Sequence, residues 1–215
     1  MTKIAPSILA ADLLKIEKEI IDIDIAGAEY IHIDIMDGHF VPNISFGYNL
    51  IKSLRPITKK ILDVHLMISP VQNYIKEFIN AGSDIISFHP EADIKPDEII
   101  NQIKDSKCKA GIAIHPKVKL EKIEKYLSKI DLVIVMTVIP GFGGQKFLND
   151  QVYKIKQLKE YKNKMNLNFE IEIDGGINNE TYKICLENGA DVLVAGSYIF
   201  GKQSLKYKEL IDSIR

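Results

Sequence analysis

Tyr30-Ile31-His32-Ile33-Asp34-Ile35-Met36-Asp37-Gly38-His39 is the stretch on which the fold turns. It opens as a β-branched run, and in an extended chain alternate side chains share a face. His32, Asp34 and Met36 therefore point the same way. Short β-branched, apolar runs recur along the chain and predict strands at 4–9, 30–35, 61–67, 85–89, 109–114, 132–137, 169–173 and 191–195. Several are apolar nearly throughout, as parallel strands covered on both faces are.

Helical periodicity fills the intervals. Over 13–26, Leu13, Ile16, Ile20 and Ile23 fall near one face while Lys15, Glu17, Lys18 and Asp22 turn outward, and Asp12 stands where an N-cap belongs. Pro70, Pro96 and Asn178 mark the expected starts of other helices. Segment 154–164 is rich in lysine, but Ile155 and Leu158 at helical spacing predict a solvated amphipathic helix. Eight strands alternating with helices predict one α/β domain over 1–215, a single (β/α)8 TIM barrel with parallel strands. A doubly wound open sheet shares the same repeat and remains the alternative.

Composition is that of a soluble globular protein, and a net charge of -1 gives no reason to expect nucleic acid or an anionic membrane as partner. Cys108 and Cys185 are too few and too far apart for a disulfide framework or a zinc-thiolate site. The N-terminal residues lack a long apolar stretch, and no run is long enough to cross a bilayer. A cytoplasmic location is the expectation.

In an α/β barrel the chemistry sits at the C-terminal ends of the strands, and here those ends are polar. Ser7 lies on the first strand, and His32 and Asp34 on the second. Asp63, His65 and Met67 share one face of the third, and Asp174 ends the seventh. Two imidazoles and two carboxylates, His32, Asp34, His65 and Asp174, would suit a divalent transition ion. Each alone is more often hydrogen-bonded scaffolding than a ligand. Four together at three strand ends are harder to read that way, because unpaired buried charge is costly. His89 and His115 each precede a proline and are expected in structural or rim roles; Asp37 and His39 rank lower as loop candidates.

Glycine makes the second constellation. Pro140-Gly141-Phe142-Gly143-Gly144-Gln145 follows the sixth strand, Gly175-Gly176 the seventh and Gly196-Ser197 the eighth. Glycines let backbone N–H groups approach an anion, and the last two strands of such barrels often hold a phosphate. There is neither a Walker A sequence nor a dinucleotide GxGxxG. Met36, Met67 and Met136, at or near strand ends, read by themselves as core filling before an apolar lining around a reactive site.

Taken in order, Ala5-Pro6-Ser7-Ile8-Leu9-Ala10-Ala11-Asp12, residues 32–43, Asp63-Val64-His65-Leu66-Met67, residues 136–147, Asp174-Gly175-Gly176-Ile177 and Ala195-Gly196-Ser197 resemble the motifs of the ribulose-phosphate 3-epimerase family. The resemblance spans essentially the whole chain. It implies a (β/α)8 barrel and one divalent metal ion (zinc, iron(II), manganese or cobalt). It also implies interconversion of D-ribulose 5-phosphate and D-xylulose 5-phosphate, within the pentose phosphate pathway. His32, Asp34, His65 and Asp174 match the family's metal ligands, and Asp34 and Asp174 its acid/base pair. Ser7, His65, Gly141, Phe142, Gly143, Gly144, Asp174, Gly175, Gly176, Gly196 and Ser197 match its substrate contacts. Met36, Met67 and Met136 match its lining methionines. The implied partners are a small sugar phosphate and further copies of the same chain in a homo-oligomer.

Three alternatives stand beside this. One is an epimerase for a six-carbon ketose phosphate such as allulose 6-phosphate, with the same metal site. Another is a metal-free decarboxylase-like barrel, disfavoured because Asp34-Ile35-Met36 lacks the lysine of an Asp-x-Lys-x-x-Asp pattern. The third is a catalytically silent sugar-phosphate binder, against which the retained acid/base pair weighs.

Overall fold

β-Branched runs become strands here because each is covered on both sides. In the computed structural model, which describes residues 2–201 and 206–215, the strands are β1 (Lys3–Pro6), β2 (Tyr30–Met36), β3 (Ile61–Met67), β4 (Ile85–Phe88), β5 (Lys109–Ile114), β6 (Leu132–Met136), β7 (Glu170–Asp174) and β8 (Val192–Ala195). They form one sheet in the order β1-β8-β7-β6-β5-β4-β3-β2, parallel throughout. The ends of that order meet: Ser7 bridges to His32, and the Glu29 amide donates to the Ile4 carbonyl at 3.2 Å. This contact curls the sheet into a nearly closed barrel, where a doubly wound sheet would keep two free edges.

The helices are α1 (Ile16–Ile25), α2 (Tyr48–Leu54), α3 (Ile75–Asn80), α4 (Pro96–Asp105), α5 (Val152–Lys164), α6 (Tyr182–Glu187), α7 (Ser197–Phe200) and α8 (Tyr207–Asp212). Between β5 and β6 the chain makes two 3-10 turns, Leu120–Lys122 and Glu124–Tyr126, among the described residues. Leu120, Ile123, Tyr126 and Leu127 still cover the sheet there.

Alternation sorts the strand residues into two cores. Ile31, Ile33, Ile35, Val64, Leu66, Ile112, Val133, Val135, Ile171 and Leu193 pack outward with helical residues such as Ile20, Ile23, Ile99 and Ile155. Ala5, Tyr30, Ile85, Ala113, Leu132, Ile134, Met136, Val192 and Val194 fill the interior. On β5, Gly111 belongs to the inner set by alternation. A Cβ there would sit 2.0 Å from the Ser87 hydroxyl oxygen and 2.9 Å from its Cβ. Gly111→Ala is therefore expected to lower stability by about 1–3 kcal/mol through overpacking. The measurement is a denaturant midpoint at unchanged slope; an unmoved midpoint would contradict it.

Most predicted elements appear, with informative shifts. Strands expected at 61–67 and 109–114 have those bounds. The first ends at Pro6 instead of running to residue 9, because the Ser7 hydroxyl accepts from the Leu9 amide and starts a 3-10 turn. The expected helix over 13–26 begins as another 3-10 turn, Leu13–Lys15, capped by Asp12, and becomes α-helical at Ile16. The tighter winding takes Leu13 off the predicted inner face, leaving it 55% exposed while Ile20 and Ile23 are buried. Helix α5 buries Ile155 and Leu158 as expected, but also Lys154. Its ammonium donates to the carbonyls of His115 and Pro116 (3.2 and 2.8 Å), so this lysine secures the loop after β5.

Candidate active site

Parallel register sets the height of each polar residue in the barrel. Asp34 on β2 lies opposite His65 on β3, and Met136 on β6 opposite Asp174 on β7. The same pairing places His32 beside Asp63, one level lower. The result is that His32, Asp34, His65 and Asp174 each offer a ligand atom, and these atoms all lie within 4.8 Å of one another. His32 Nε2 is 3.4 Å from Asp34 Oδ1 and 3.8 Å from Asp174 Oδ2; His65 Nδ1 is 3.5 and 3.6 Å from the same oxygens.

These two imidazole nitrogens are buried without a hydrogen-bond partner, an expensive arrangement unless something else satisfies them. Burial alone would raise the Asp34 carboxyl, but the His32 and His65 imidazoles hold it well below the usual carboxylate range. Burial would lower both histidines; instead Asp34 and Asp63 pull His32 well above its ordinary value, and Asp174 and Asp34 raise His65 to about 9. Protons are how the polypeptide alone balances this charge. A divalent cation balances it with the imidazoles neutral, and two imidazoles with two carboxylates suit one.

Below and beside the cluster lies a layer to which the sequence reading assigned no site role. His32 Nδ1 is 2.6 Å from Asp63 Oδ2 and 3.3 Å from Glu172 Oε1, all three fully buried. Burial and the Asp63 charge push Glu172 up to about 8. His89, expected in a structural or rim role, is fully buried against a site residue: its Nε2 is 3.1 Å from His65 Nε2. Burial pushes His89 down to about 4. The signal for two of them was available, since Asp63 and Glu172 precede His65 and Asp174 by two residues and so share their inward faces.

Every other predicted substrate or lining residue borders one cleft above the cluster. It is lined by Ser7, Asp34, Met36, Met67, Met136, Asp174 and the glycine loops, with Gly141, Phe142, Gly143, Gly144, Gly175, Gly176, Gly196 and Ser197 all contributing. Only His32 and His65 among the predicted site residues are absent from that lining; both lie fully buried beneath it. The Ser7 hydroxyl donates to Asp34 Oδ2 at 2.6 Å, which leaves Oδ1 for the cluster. Met36, Met67 and Val41 pack together with Leu9 and Phe40 into an apolar rim.

Side chains tie the loops down. The Asn43 amide donates to the Gly141 carbonyl (2.7 Å), and the Gln145 amide to the carbonyls of Ile139 and Phe142 (2.6 and 2.7 Å). Gly175 and Gly176 have φ of 124° and 67°. A Cβ at either would come within 2.8 Å of a backbone nitrogen, Val138 N or Phe147 N. The lower-ranked loop candidates serve structure: Asp37 accepts from the amides of His39, Phe40 and Ser69, and His39 is exposed.

Fold and site define a (β/α)8 barrel with a buried His/Asp cluster beneath a glycine-lined cleft. The sequence matches the ribulose-phosphate 3 epimerase family over residues 3–200. It is 46% identical to the ribulose-phosphate 3-epimerase of Bacillus subtilis (strain 168), covering 100% of this chain and 99% of that one. The ribulose-phosphate 3-epimerase of Synechocystis sp. is 43% identical over 99% of this chain and 92% of its own. Among solved structures, KGPDC from Streptococcus mutans, solved with a bound ligand, superposes with a TM-score of 0.76 at 15% identity, covering 99% and 97% of the two chains; at that identity the likeness is one of fold. The chain belongs to the ribulose-phosphate 3-epimerase family.

Proposed function

We propose that this protein is a metal-dependent epimerase interconverting D-ribulose 5-phosphate and D-xylulose 5-phosphate, with residues 1–215 acting as one catalytic domain. The observation that carries the reading is the meeting of Asp34 and Asp174, from β2 and β7, around one spot at the floor of a cleft walled by glycine loops. The full-length relatives named ribulose-phosphate 3-epimerase support it.

Epimerisation at C3 removes a proton from one face of an α-hydroxy ketone and returns one to the other, through an enediolate. Asp34 and Asp174 supply the two groups, one as carboxylate base and the other as acid, exchanging roles with direction. Ser7 aims Asp34 by engaging its Oδ2 and borders the substrate's reacting end, with His65 directly beneath it. The backbones of Gly141–Gly144, Gly175, Gly176, Gly196 and Ser197 receive the distal phosphate, and binding there positions C3. Met36, Met67 and Met136 keep water from the carbanion-like species. A divalent ion held by His32, Asp34, His65 and Asp174 would supply positive charge against the negative charge developing on the C2 and C3 oxygens. Zinc, iron(II), manganese and cobalt all suit this donor set.

Among the described residues no helix is long and apolar enough to cross a membrane. The two cysteines are free, which supports a reducing, cytoplasmic setting. Exposed Leu14 and Ile94 are surfaces a homo-oligomer would cover.

Chelation is expected to abolish turnover and a suitable divalent ion to restore it, followed by metal analysis and assays on five-carbon and six-carbon ketose phosphates. Full activity of rigorously metal-free protein would overturn the ligand assignment. Faster turnover of allulose 6-phosphate would move the substrate to six carbons.

A further inference from the structure

His65 presents different nitrogens to different neighbours. Nδ1 faces Asp34 and Asp174 and has no hydrogen-bond partner. Nε2 lies 3.1 Å from His89 Nε2, and two imidazole nitrogens at that separation share a single proton. The far nitrogen of His89, Nδ1, faces Glu91 Oε1 at 3.5 Å and makes no hydrogen bond. The His89 ring is wedged between Phe40 and His115, with ring centroids 5.1 and 6.4 Å away. His65 and His89 are fully buried, while the Glu91 side chain is 36% exposed at the mouth. His32 is held differently: its Nδ1 meets the buried Asp63 carboxylate directly.

We propose that His89 is a positioning residue, backed by the Glu91 charge, in a chain that holds the His65 ring in the tautomer with Nδ1 free to bind the cation. This rests on the metal site of the proposed function. A neutral imidazole that gives the Nδ1 lone pair to a cation carries its proton on Nε2. His89 Nε2 is then the bare acceptor. Its own proton must sit on Nδ1, which faces the Glu91 carboxylate at 3.5 Å without a hydrogen bond to it, and the nearby negative charge favours that placement. Outer partners of this kind orient metal-bound histidines and strengthen them as ligands. Where a carboxylate meets His32 directly, an imidazole meets His65, with a carboxylate facing that ring from the solvent edge. Neither residue needs to touch substrate.

The test uses zinc as the probe ion. In zinc-loaded wild-type protein, two-bond proton–nitrogen correlation of the imidazoles is expected to show His65 protonated at Nε2, and His89 protonated at Nδ1 with Nε2 bare. A proton on His89 Nε2 would overturn the chain, and this measurement needs no variant to fold. Competition titration with a zinc indicator gives the second readout. His89→Phe removes the acceptor and is expected to weaken zinc binding by about 10–100-fold, whereas His89→Gln, whose carbonyl can accept from His65, stays near wild type. His89→Phe binding zinc as tightly as wild type would also overturn it. The wild-type titration comes first: no zinc binding there removes the metal reading itself, and the chain with it.

Discussion

Asp34→Asn and Asp174→Asn should each slow epimerisation by about 10²–10⁴-fold, while each retains exchange of one epimer's C3 proton with solvent. Asparagine keeps the size and one ligating oxygen but loses the basicity that takes up a proton. The neighbours tolerate the change: the Ser7 hydroxyl that donates to Asp34 Oδ2 can rotate to accept from an amide. Inversion needs both groups, so either substitution stops it. Removing and returning a proton on the same face needs only the surviving carboxylate. In deuterated water one variant should wash deuterium into ribulose 5-phosphate and the other into xylulose 5-phosphate, provided that carboxylate exchanges with solvent. Both aspartates are also proposed ligands, so metal content is measured in each variant. A metal-replete variant that epimerises at the wild-type rate would end the two-base assignment.

D-Ribulose should be a substrate at least about 10²-fold poorer in kcat/KM than its 5-phosphate, since misplacement far from the reacting atoms costs that much. The glycine loops allow the site itself to be probed, but not at every position. Gly175→Ala and Gly176→Ala would drive a methyl into backbone atoms at positive φ, so loss of activity there would report damage to the fold. Gly196 is different, because a Cβ there would meet Ala10 Cβ at 3.5 Å and the Cβ and carbonyl oxygen of Ser7 at 3.6 Å, all ordinary contact distances. Gly144 has open space around it and a φ of 71°, a strain on the order of 1–2 kcal/mol for alanine. Gly196→Ala should keep its melting temperature and raise KM for the phosphorylated substrate. Equal kcat/KM for ribulose and its 5-phosphate would dismiss the phosphate site outright.

Much of this was legible in the residues because a strand reports its own faces. Alternation puts His32, Asp34 and Met36 on one side of β2, and Asp63, His65 and Met67 on one side of β3, whatever the rest of the chain does. Glu172 obeys the same rule two residues before Asp174, although it was passed over in the sequence, and its carboxylate meets His32 Nδ1 at 3.3 Å. Lys154 escaped for a different reason: helical period made α5 an amphipathic surface helix, and nothing local shows that the carbonyls of His115 and Pro116 lie within reach of its ammonium.

The sequence by itself determined the repeat of strand and helix, the inward faces, and the run of strand-end residues that marks the family, because these depend on periodicities and motifs local to each element. Only the tertiary structure decided that the ring nearly closes, through Ser7 and His32, and that ligand atoms from three strands converge within 4.8 Å of one another. It alone brought His89 and Glu91 behind His65. Those outcomes depend on register between strands far apart in the chain, and register is set by packing across the barrel, which no local pattern encodes.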